Sequence, residues 1–443
     1  MSINVFKKII GGEFPKGSII LISGEPGTGK TIFVSSYAQE ELRRGNKVLY
    51  ICFNETKDEY FTNIKKIGID LEDNKFRFLD FFLTSNEAIK VQLKLILEEI
   101  NKFQPNLLII DSITPILSLI ESKKIRGFIR TSLGTYTKSM KITTILVSER
   151  AESSSTIEFA VDGVILLKCE KYGEYYRRVM EIPKMRGVKI SKPQYEFAIT
   201  EKGIVIFEVP KLEIKQDSSF ERISTGIREL DQLLEGGYYV GSTTFIVGHT
   251  GTGKTTFGLH FVYENCLKGR KAVFISFDEG RGGVLKAMKN YGMSYDKVKE
   301  NLMLLDYIPE ASSPVSIFID LIENIDRLDP DLIYIDSLTS IRKMEEKEMK
   351  KMIRYLQIIT KERGITLCIS TNAIGDLSEI PLTEICTMAD NIILLWNEMS
   401  KNEIIRHLLV LKSRATNHSR KIYRYKITER GIKIEGRADE EKL

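Results

Sequence analysis

The chain has 443 residues, 42% hydrophobic and 28% charged, a balance that excludes a disordered or collagen-like protein. Its 65 Lys and Arg residues nearly match 60 Asp and Glu residues, so the net charge of +5 gives no general basis for nucleic-acid binding. Five scattered cysteines without a Cys-x-x-Cys or Cys/His cluster argue against a disulfide framework and a zinc site. The sequence shows neither a signal-peptide pattern nor an apolar stretch of about 18 residues, so we expect a cytoplasmic protein without a membrane span.

The chain repeats itself. Three pairs of segments match in the same order: 11–31 with 236–255, 105–114 with 330–339, and 142–150 with 365–373. Lys30 and Lys254, which match each other, stand 224 positions apart, a spacing too long for a solenoid repeat. The sequence therefore predicts a tandem duplication with domains at 1–215 and 216–443, joined by the polar segment 210–220.

Within each copy, short β-branched runs alternate with longer helical patterns. In the first copy the expected strands are "SIILIS", "KVLYICF", "LLIID" and "TTILVS", and "IKVQLKLILEEINKF" has helical periodicity. This alternation predicts an α/β domain whose parallel sheet is flanked by helices. Four strand-like runs then follow one another, "DGVILLKCE", "YYRRVMEIPKM", "QYEFAIT" and "GIVIFEV", and predict an antiparallel extension at one edge.

Two segments, "GEPGTGKT" and "GHTGTGKT", have the phosphate-loop pattern, each after a strand and before a helix. Glycines let successive backbone N–H groups point at phosphate oxygens, at the positive end of the following helix. Lys30 and Lys254 are expected to reach the β and γ phosphates, and Thr31 and Thr255 to place a hydroxyl on Mg²⁺. The predicted nucleotide-binding residues are Gly24, Glu25, Pro26, Gly27, Thr28, Gly29, Lys30 and Thr31, with Gly248, His249, Thr250, Gly251, Thr252, Gly253, Lys254 and Thr255.

A second pair of strands ends in acids. Asp111 and Asp336 each close a buried strand and are followed by serine. An acid at a strand end is often only a helix cap or a turn former. After a phosphate loop at this distance, the carboxylate is expected to bind the Mg²⁺ shell through water.

The attacking water of nucleotide hydrolysis needs a group that orients it and takes its proton. Asn54 and Asp278 follow matching strands beside the phosphate loops, and only the aspartate can accept a proton. Losing a general base typically costs ~10²- to 10⁴-fold in rate, so we predict that the first site is slow but active. Glu55 is a substitute only if its strand has already ended, because neighbours on a strand point to opposite faces. A plain strand-end turn is the alternative interpretation.

These features together resemble KaiC-like ATPases of the RecA-like class. The resemblance is carried by the duplication, by "STGIRELDQLLEGG" leading into the second phosphate loop, by the polar pairs Asn54-Glu55 and Asp278-Glu279, and by "IDS". It covers nearly the whole chain, although the first copy lacks the Ser-Thr-Gly segment. It implies two tandem RecA-like P-loop domains.

The resemblance also implies ATP as the nucleotide and a two-tiered homo-hexamer with each ATP held between subunits. The family carries two adjacent glutamates as catalytic groups, which here correspond to Asn54-Glu55 and Asp278-Glu279. Its Lys-x-Arg-Gly pattern, which reaches the neighbour's γ-phosphate, matches Lys184 and Arg186 in full, and matches Lys412 and Arg414 without the glycine. Cations supplied by a neighbour make catalysis depend on assembly. A solvated basic strand face is the alternative.

Clock-type members of that family phosphorylate a Ser-Thr pair before a late strand of the second domain. The matching residues here are Cys386 and Thr387, so one hydroxyl remains, while the first copy has Glu158 and Phe159. Autophosphorylation of Thr387 is thus a hypothesis that the resemblance suggests, and an ordinary loop threonine is its alternative.

Two classes of function remain at this stage. The first is an ATP-driven ring that acts as a nucleotide-dependent regulatory switch for an unidentified protein partner. The second is a nucleic-acid-binding ATPase or motor, because segments 171–189 and 420–437 interleave basic and aromatic residues. The same segments alternate like edge strands, whose charges form a wet face.

Overall fold

The computed structural model describes residues 3–81, 86–119, 127–149, 157–172, 175–190, 192–207, 220–308, 313–337, 346–372, 388–400 and 403–438. The chain forms two compact units, residues 1–208 and 209–443. The predicted boundary between residues 215 and 216 lies outside the described residues. No helix in the described part of the chain is long and apolar enough to cross a membrane.

The described residues of the first unit form one sheet of nine strands. Its strands are β1 (Ile19–Gly24), β2 (Val48–Cys52), β3 (Phe76–Asp80), β4 (Leu107–Asp111), β5 (Thr143–Glu149), β6 (Gly163–Tyr172), β7 (Tyr175–Met185), β8 (Gln194–Thr200) and β9 (Gly203–Phe207). Its helices are α1 (Ile3–Ile9), α2 (Lys30–Arg43), α3 (Lys57–Lys65), α4 (Asn86–Phe103), α5 (Thr114–Leu119), a π-helix (Phe128–Leu133) and α6 (Gly134–Ser139).

The second unit repeats this plan. Its large sheet contains β12 (Thr243–Gly248), β13 (Ala272–Ser276), β14 (Leu302–Asp306), β15 (Leu332–Asp336), β16 (Thr366–Asn372), β17 (Asn391–Ser400), β18 (Glu403–Ser413), β19 (Tyr423–Thr428) and β20 (Gly431–Arg437), and a small sheet pairs β10 (Arg222–Ile223) with β11 (Tyr238–Tyr239). Its helices are α7 (Arg228–Leu233), α8 (Lys254–Leu267), α9 (Arg281–Asn290), a 3₁₀ turn (Tyr295–Lys297), α10 (Pro314–Leu328) and α11 (Glu346–Glu362).

Strand order is the same in both large sheets. The first runs β3-β2-β4-β5-β1-β6-β7-β8-β9, and the second runs β14-β13-β15-β16-β12-β17-β18-β19-β20. In the order of the first sheet, the six strands β3, β2, β4, β5, β1 and β6 are parallel to one another. The strands that follow, from β6 through β7 and β8 to β9, pair in antiparallel fashion. The predicted α/β fold with an antiparallel extension in each copy is confirmed.

The strands form where the sequence supplies continuous apolar runs. In β4, Leu107 and Ile109 face one core cluster, while Leu108 and Ile110 face the cluster on the other side of the sheet. A strand covered on both faces has no polar side to show, which explains the run "LLII". Because the connections are helical, all parallel strands end at one edge of the sheet, and the polar residues that follow them meet there.

Local signals start several helices. Thr56 caps α3, and Glu59 completes a capping box with it. Ser313 caps α10, where Pro314 occupies the first helical position and needs no hydrogen-bond partner for its nitrogen. In the second unit, Asp231 accepts hydrogen bonds from the Thr225 backbone and hydroxyl, each 2.7 Å, and so closes the Ser-Thr-Gly segment into a turn.

Candidate active site

Each phosphate loop joins a central strand to the first turn of a helix. Residues 24–31 run from β1 into α2, and residues 248–255 run from β12 into α8. Gly29 and Gly253 have φ of 99° and 86°, a left-handed conformation that side chains with a Cβ seldom adopt. Both loops therefore place a helix N-terminus, with its unpaired N–H groups, at the carboxyl edge of the sheet.

The two loop lysines fold over their own loops. Lys30 Nζ donates to the carbonyl groups of Gly24 and Glu25, each at 2.9 Å. Lys254 makes the same two bonds, at 2.9 and 3.0 Å, to the first two carbonyl groups of its loop. Burial lowers the pKa of both lysines, and nearby carboxylates oppose that shift. An ammonium group held there is in place to meet the outer phosphates of a nucleotide.

The other loop residues divide into an inner and an outer group. Thr28 and Thr252 are buried, and the hydroxyl of each donates, at 2.8 Å, to the carbonyl three residues earlier in the chain. Glu25, Pro26 and Gly27 of the first loop are exposed, as are Thr250 and Gly251 of the second. The threonines therefore hold the turn, and the exposed residues face its open side.

The predicted metal residues lie together in both units. Thr31 Oγ1 donates to Asp111 Oδ2 at 2.8 Å, and Thr255 Oγ1 donates to Asp336 Oδ2 at 2.6 Å. Hydroxyl and carboxylate oxygens are the hard ligands that Mg²⁺ prefers, so the residues present fit this ion. Burial raises the pKa of both aspartates, and the threonine hydrogen bond opposes that shift.

The two aspartates obtain further support from different residues. Asp111 Oδ2 also accepts a hydrogen bond from the Tyr50 hydroxyl of β2 at 2.7 Å. Asp336 Oδ1 accepts one from Ser370 of β16 at 2.6 Å. The sequence analysis named neither donor, because both come from neighbouring strands and neither belongs to a motif.

The polar residues after β2 and β13 lie beside these aspartates. Asn54 Nδ2 donates to Ser112 Oγ at 3.1 Å, whereas Ser337 Oγ donates to Asp278 Oδ2 at 3.0 Å. The direction of the bond is reversed, because an amide nitrogen only donates and a carboxylate only accepts. The Ser112 hydroxyl therefore accepts a hydrogen bond from the strand-end residue, whereas the Ser337 hydroxyl donates one to it.

The neighbouring glutamates follow these two residues. Strand β2 ends at Cys52, so Glu55 lies in the following turn and no longer alternates with Asn54 across a sheet. Burial raises the pKa of Glu55, as does the nearby Asp111, and a hydrogen bond from Asn63 of α3 opposes the shift. The backbone N–H of Glu279 donates to Ser276 Oγ at 3.0 Å and holds the matching turn.

The four candidate cations lie at the other end of each sheet. Lys184 precedes Met185, which pairs with Gly163, and Gly163 pairs with Ile20 near the start of β1. Gly24 lies four residues further along β1, about 13 Å away at the usual rise of a strand. Strands β12, β17 and β18 place the second pair of cations in the same way.

Each of these cations already has partners in its own unit. Lys184 Nζ donates to the carbonyl groups of Glu158 and Val161, at 2.8 and 2.6 Å, and Lys412 Nζ donates to that of Ala389 at 2.6 Å. The two arginines each form an ion pair of 3.1 Å with an aspartate, and their side chains are 65% and 55% exposed: Arg186 with Asp162, and Arg414 with Asp390. The arginines are therefore the cations that can turn outward most readily.

The antiparallel hairpin after each parallel region supports the phosphate loop. A Cβ on Gly29 would lie 3.0 Å from the Ile199 side chain, and one on Gly253 would lie 2.7 Å from that of Ile427. In the second unit the Tyr425 hydroxyl also donates to the Thr252 carbonyl at 2.5 Å. Sequence analysis missed this contact, since 173 residues separate the two groups along the chain.

The structure describes only one of the two segments that correspond to the family's phosphorylation site. Thr387 and Cys386, the expected phosphorylation segment, lie outside the described residues. Glu158 and Phe159 precede β6 in the first unit, and the Phe159 side chain is 69% exposed.

Both copies of the repeated sequence match known proteins. A family model described as "ATPase: KaiC" matches residues 1–211 and again 223–439. The circadian clock oscillator protein KaiC of Parathermosynechococcus lividus is 28% identical over 455 residues, covering 97% of this chain and 84% of that protein. The protein of the same name from Synechococcus elongatus is 28% identical over 452 residues, covering 97% and 87%. The circadian clock protein KaiC3 of Synechocystis sp. is 27% identical over 449 residues, covering 96% and 88%.

The family match bears out the resemblance drawn from the sequence. It extends over both phosphate loops and both predicted metal ligands, Asp111 and Asp336, and so over the two regions that the fold makes equivalent. The chain therefore belongs to the KaiC family of ATPases and is an ATP-binding enzyme with two RecA-like domains.

Proposed function

We propose that this ATPase works as a homo-hexameric ring, in which ATP and Mg²⁺ bind between subunits and hydrolysis switches the ring between regulatory states. The relatives are named as circadian clock proteins, which supports a regulatory role. In each domain the loop, the metal residues and the strand-end residues form one half of a catalytic site, and the neighbour's cations form the other half.

The position of the cations carries this proposal. A side chain at the amino edge of its sheet does not reach a phosphate at the carboxyl edge of the same sheet. Arg186 and Arg414 hold such positions, and both are more than half exposed. In a ring, the amino edge of one domain can face the carboxyl edge of its neighbour, so each site becomes complete only on assembly.

The second domain is proposed to be the faster enzyme. Asp278 can accept the proton of the attacking water, with Glu279 beside it, whereas Asn54 can orient the water only. The first domain then turns over slowly and mainly holds the ring together through its bound nucleotide.

Complementation between two inactive chains tests this site. Lys254→Ala removes the loop cation, and Arg414→Ala removes the cation offered to the neighbour. Each variant should lose most ATP turnover, while a mixture that exchanges subunits should regain part of it, because some interfaces then combine an intact loop with an intact arginine. Turnover that stays at the wild-type level in Lys254→Ala, or wild-type protein that remains monomeric with ATP by native mass, would contradict the proposal.

The nucleic-acid alternative is less well supported. Several basic residues of segments 171–189 and 420–437 form ion pairs within their own sheet, including Arg177 with Glu170 and Lys426 with Glu435. Strand β7 lies between β6 and β8, so segment 171–189 alternates like an edge strand although β7 is not at the edge of its sheet. Binding of single-stranded DNA that weakens with salt and stimulates turnover would favour the alternative.

Autophosphorylation of Thr387 is a separate hypothesis from the family resemblance. Transfer of the γ-phosphoryl group would add one phosphate to the chain. Intact mass after incubation with ATP, compared between wild type and Thr387→Ala, tests it. A mass increase that persists in Thr387→Ala would move the acceptor elsewhere.

A further inference from the structure

Two side-chain positions flank each metal aspartate at the carboxyl edge of the sheet. In the first unit, Cys52 pairs with Asp111, and Asp111 pairs with Val147. Side chains on a strand return to the same face every second residue. One such step beyond Val147 is Glu149, the last residue of β5. Asn54 lies two residues past the end of β2 and donates to Ser112, the residue after Asp111. Asn54 and Glu149 therefore follow the two strands on either side of β4, at the carboxyl edge of the sheet.

The second unit has the same arrangement. Ser276 pairs with Asp336, and the pairing of β15 with β16 brings Ser370 to the other side of that aspartate. Two residues beyond Ser276 is Asp278, and two residues beyond Ser370 is Asn372.

The carboxylate and the amide have exchanged places between the two copies. The first copy has Asn54 on the β2 side and Glu149 on the β5 side, and the second copy has Asp278 on the β13 side and Asn372 on the β16 side. At these two flanking positions, each site thus keeps one carboxylate and one amide. The position on the β5 side was not among the predicted catalytic residues, although segments 142–150 and 365–373 already aligned these two residues.

Glu149 lies beside the phosphate loop. Strand β5 is placed between β4 and β1, and Glu149 pairs with Gly24, whose carbonyl accepts a hydrogen bond from Lys30. Paired strands lie about 4.8 Å apart. Burial lowers the pKa of Lys30, and the charge of Glu149 opposes that shift more strongly than the charge of Asp111 does. The Lys254 pKa responds instead to Asp336 and Asp278.

The backbone of Glu149, at the end of β5, is hydrogen-bonded on both sides, while the residue is exposed. The Glu149 backbone N–H donates to Thr114 Oγ1 at 2.9 Å, and the Glu149 carbonyl accepts from Ser148 Oγ at 2.9 Å. The carboxylate itself is on the exposed side of the strand end. Glu55, the other candidate base, lies in the turn between β2 and α3, and strands β4 and β5 separate β2 from the loop strand β1.

We propose that Glu149 is the proton acceptor of the first ATP site, an inference that rests on the hydrolytic function proposed above. The attacking water gives one proton to the Glu149 carboxylate while its oxygen forms a bond to the γ-phosphorus. The bond from that phosphorus to the bridging oxygen breaks, and ADP leaves with the electron pair. Glu149 then returns its proton to solvent, and Asn54 orients the water from the opposite side of Asp111.

The test isolates the first site in the full-length chain. The parent variant carries Asp278→Asn and Glu279→Gln, which remove the acids of the second site but leave its phosphate loop able to bind ATP. Glu149→Gln in this parent should reduce turnover by about 100-fold or more. Affinity for a fluorescent ATP analogue should stay near the parent value. Glu72→Gln, an exposed carboxylate before β3 at the amino edge of the sheet, is the matched control.

A rescue variant separates chemistry from folding. Asn54→Asp combined with Glu149→Asn gives the first site the arrangement of the second, and it should recover turnover relative to Glu149→Asn alone. Three results would overturn the assignment: a parent without turnover, Glu149→Gln as active as the parent, or the loss occurring in Glu55→Gln instead. Each of these leaves the second-site complementation result intact, so failure of this inference is distinct from failure of the ATPase proposal.

Discussion

The two phosphate loops have nearly the same backbone but are supported by different side chains. Gly27 and Gly29 have φ of 78° and 99°, and their counterparts Gly251 and Gly253 have 81° and 86°. Beneath the second loop Tyr425 donates a hydrogen bond to it, whereas the first loop has Phe197 at the corresponding place. The backbone cradle cannot vary because it depends on left-handed glycines, but a supporting contact can come from several residue types.

Asp111 and Asp336, the predicted metal ligands, show the same contrast. Both accept a hydrogen bond from a loop threonine, but Tyr50 gives the additional bond in the first unit and Ser370 gives it in the second. A buried carboxylate needs several donors, and any hydroxyl within reach can serve. The two sites thus keep the groups predicted to contact the nucleotide and differ in the groups that hydrogen-bond to them.

The largest effect is expected from making the second site resemble the first at its strand end. Asp278→Asn replaces the proposed proton acceptor by an amide, so turnover should fall by ~10²- to 10⁴-fold. Steady-state ATP hydrolysis in a Lys30→Ala background measures this loss. Asp306→Asn is the control, because Asp306 ends the outer strand β14 and accepts a hydrogen bond from the Arg281 backbone. Unchanged turnover in Asp278→Asn would remove the proposed difference between the sites.

A smaller effect is expected at the loop support. The Thr252 carbonyl and the Gly253 N–H point in opposite directions across one trans peptide, so fixing the carbonyl also directs the N–H. Tyr425→Phe removes one hydrogen bond worth about 1 kcal/mol and should weaken ATP binding about five-fold. The ring contact with Phe257, at 5.6 Å, is retained. Titration with a fluorescent ATP analogue measures the change.

The reciprocal variant is the control for that prediction. Phe197→Tyr places a hydroxyl under the first loop and should tighten ATP binding there. If Tyr425→Phe leaves affinity unchanged while Phe197→Tyr also has no effect, the hairpins support the loops through their apolar contacts alone.

The smallest effect is expected from the residue that joins each hairpin to its loop helix. His260 Nε2 accepts a hydrogen bond from the Ile432 N–H at 3.0 Å, and Ser36 Oγ accepts the matching bond from the Ile204 N–H at 3.3 Å. An accepting Nε2 requires a neutral ring, and burial lowers the His260 pKa. The stability that this neutral histidine contributes is present above its unfolded pKa of about 6.5 and is lost as pH falls below it.

His260→Ser copies the first unit and should reduce the acid sensitivity of the second. Trp396 is the only tryptophan of the chain and lies in β17, so its emission maximum reports unfolding of the second unit. The urea midpoint should fall between pH 7.5 and 5.5 by less in His260→Ser than in wild type. An equal fall in both proteins would show that other groups set this pH dependence.

The sequence alone identified the features that depend on local chemistry. Repeated glycines mark the phosphate loops because the backbone needs positive φ there, and buried apolar runs ending in Asp111 and Asp336 mark strands because both of their faces are covered. The duplication and the family resemblance followed from the order of these local signals.

Only the tertiary structure decided which groups meet. Strand β1 lies between β5 and β6, apart from β2 in the sheet order, and this placement pairs Glu149 with Gly24 at the start of the phosphate loop. The antiparallel turn of β7 likewise sends Arg186 to the amino edge, away from the phosphate loop of its own domain. Strand order in a parallel sheet is set by helical crossovers packing on its two faces, and the spacing of residues along the chain does not specify it.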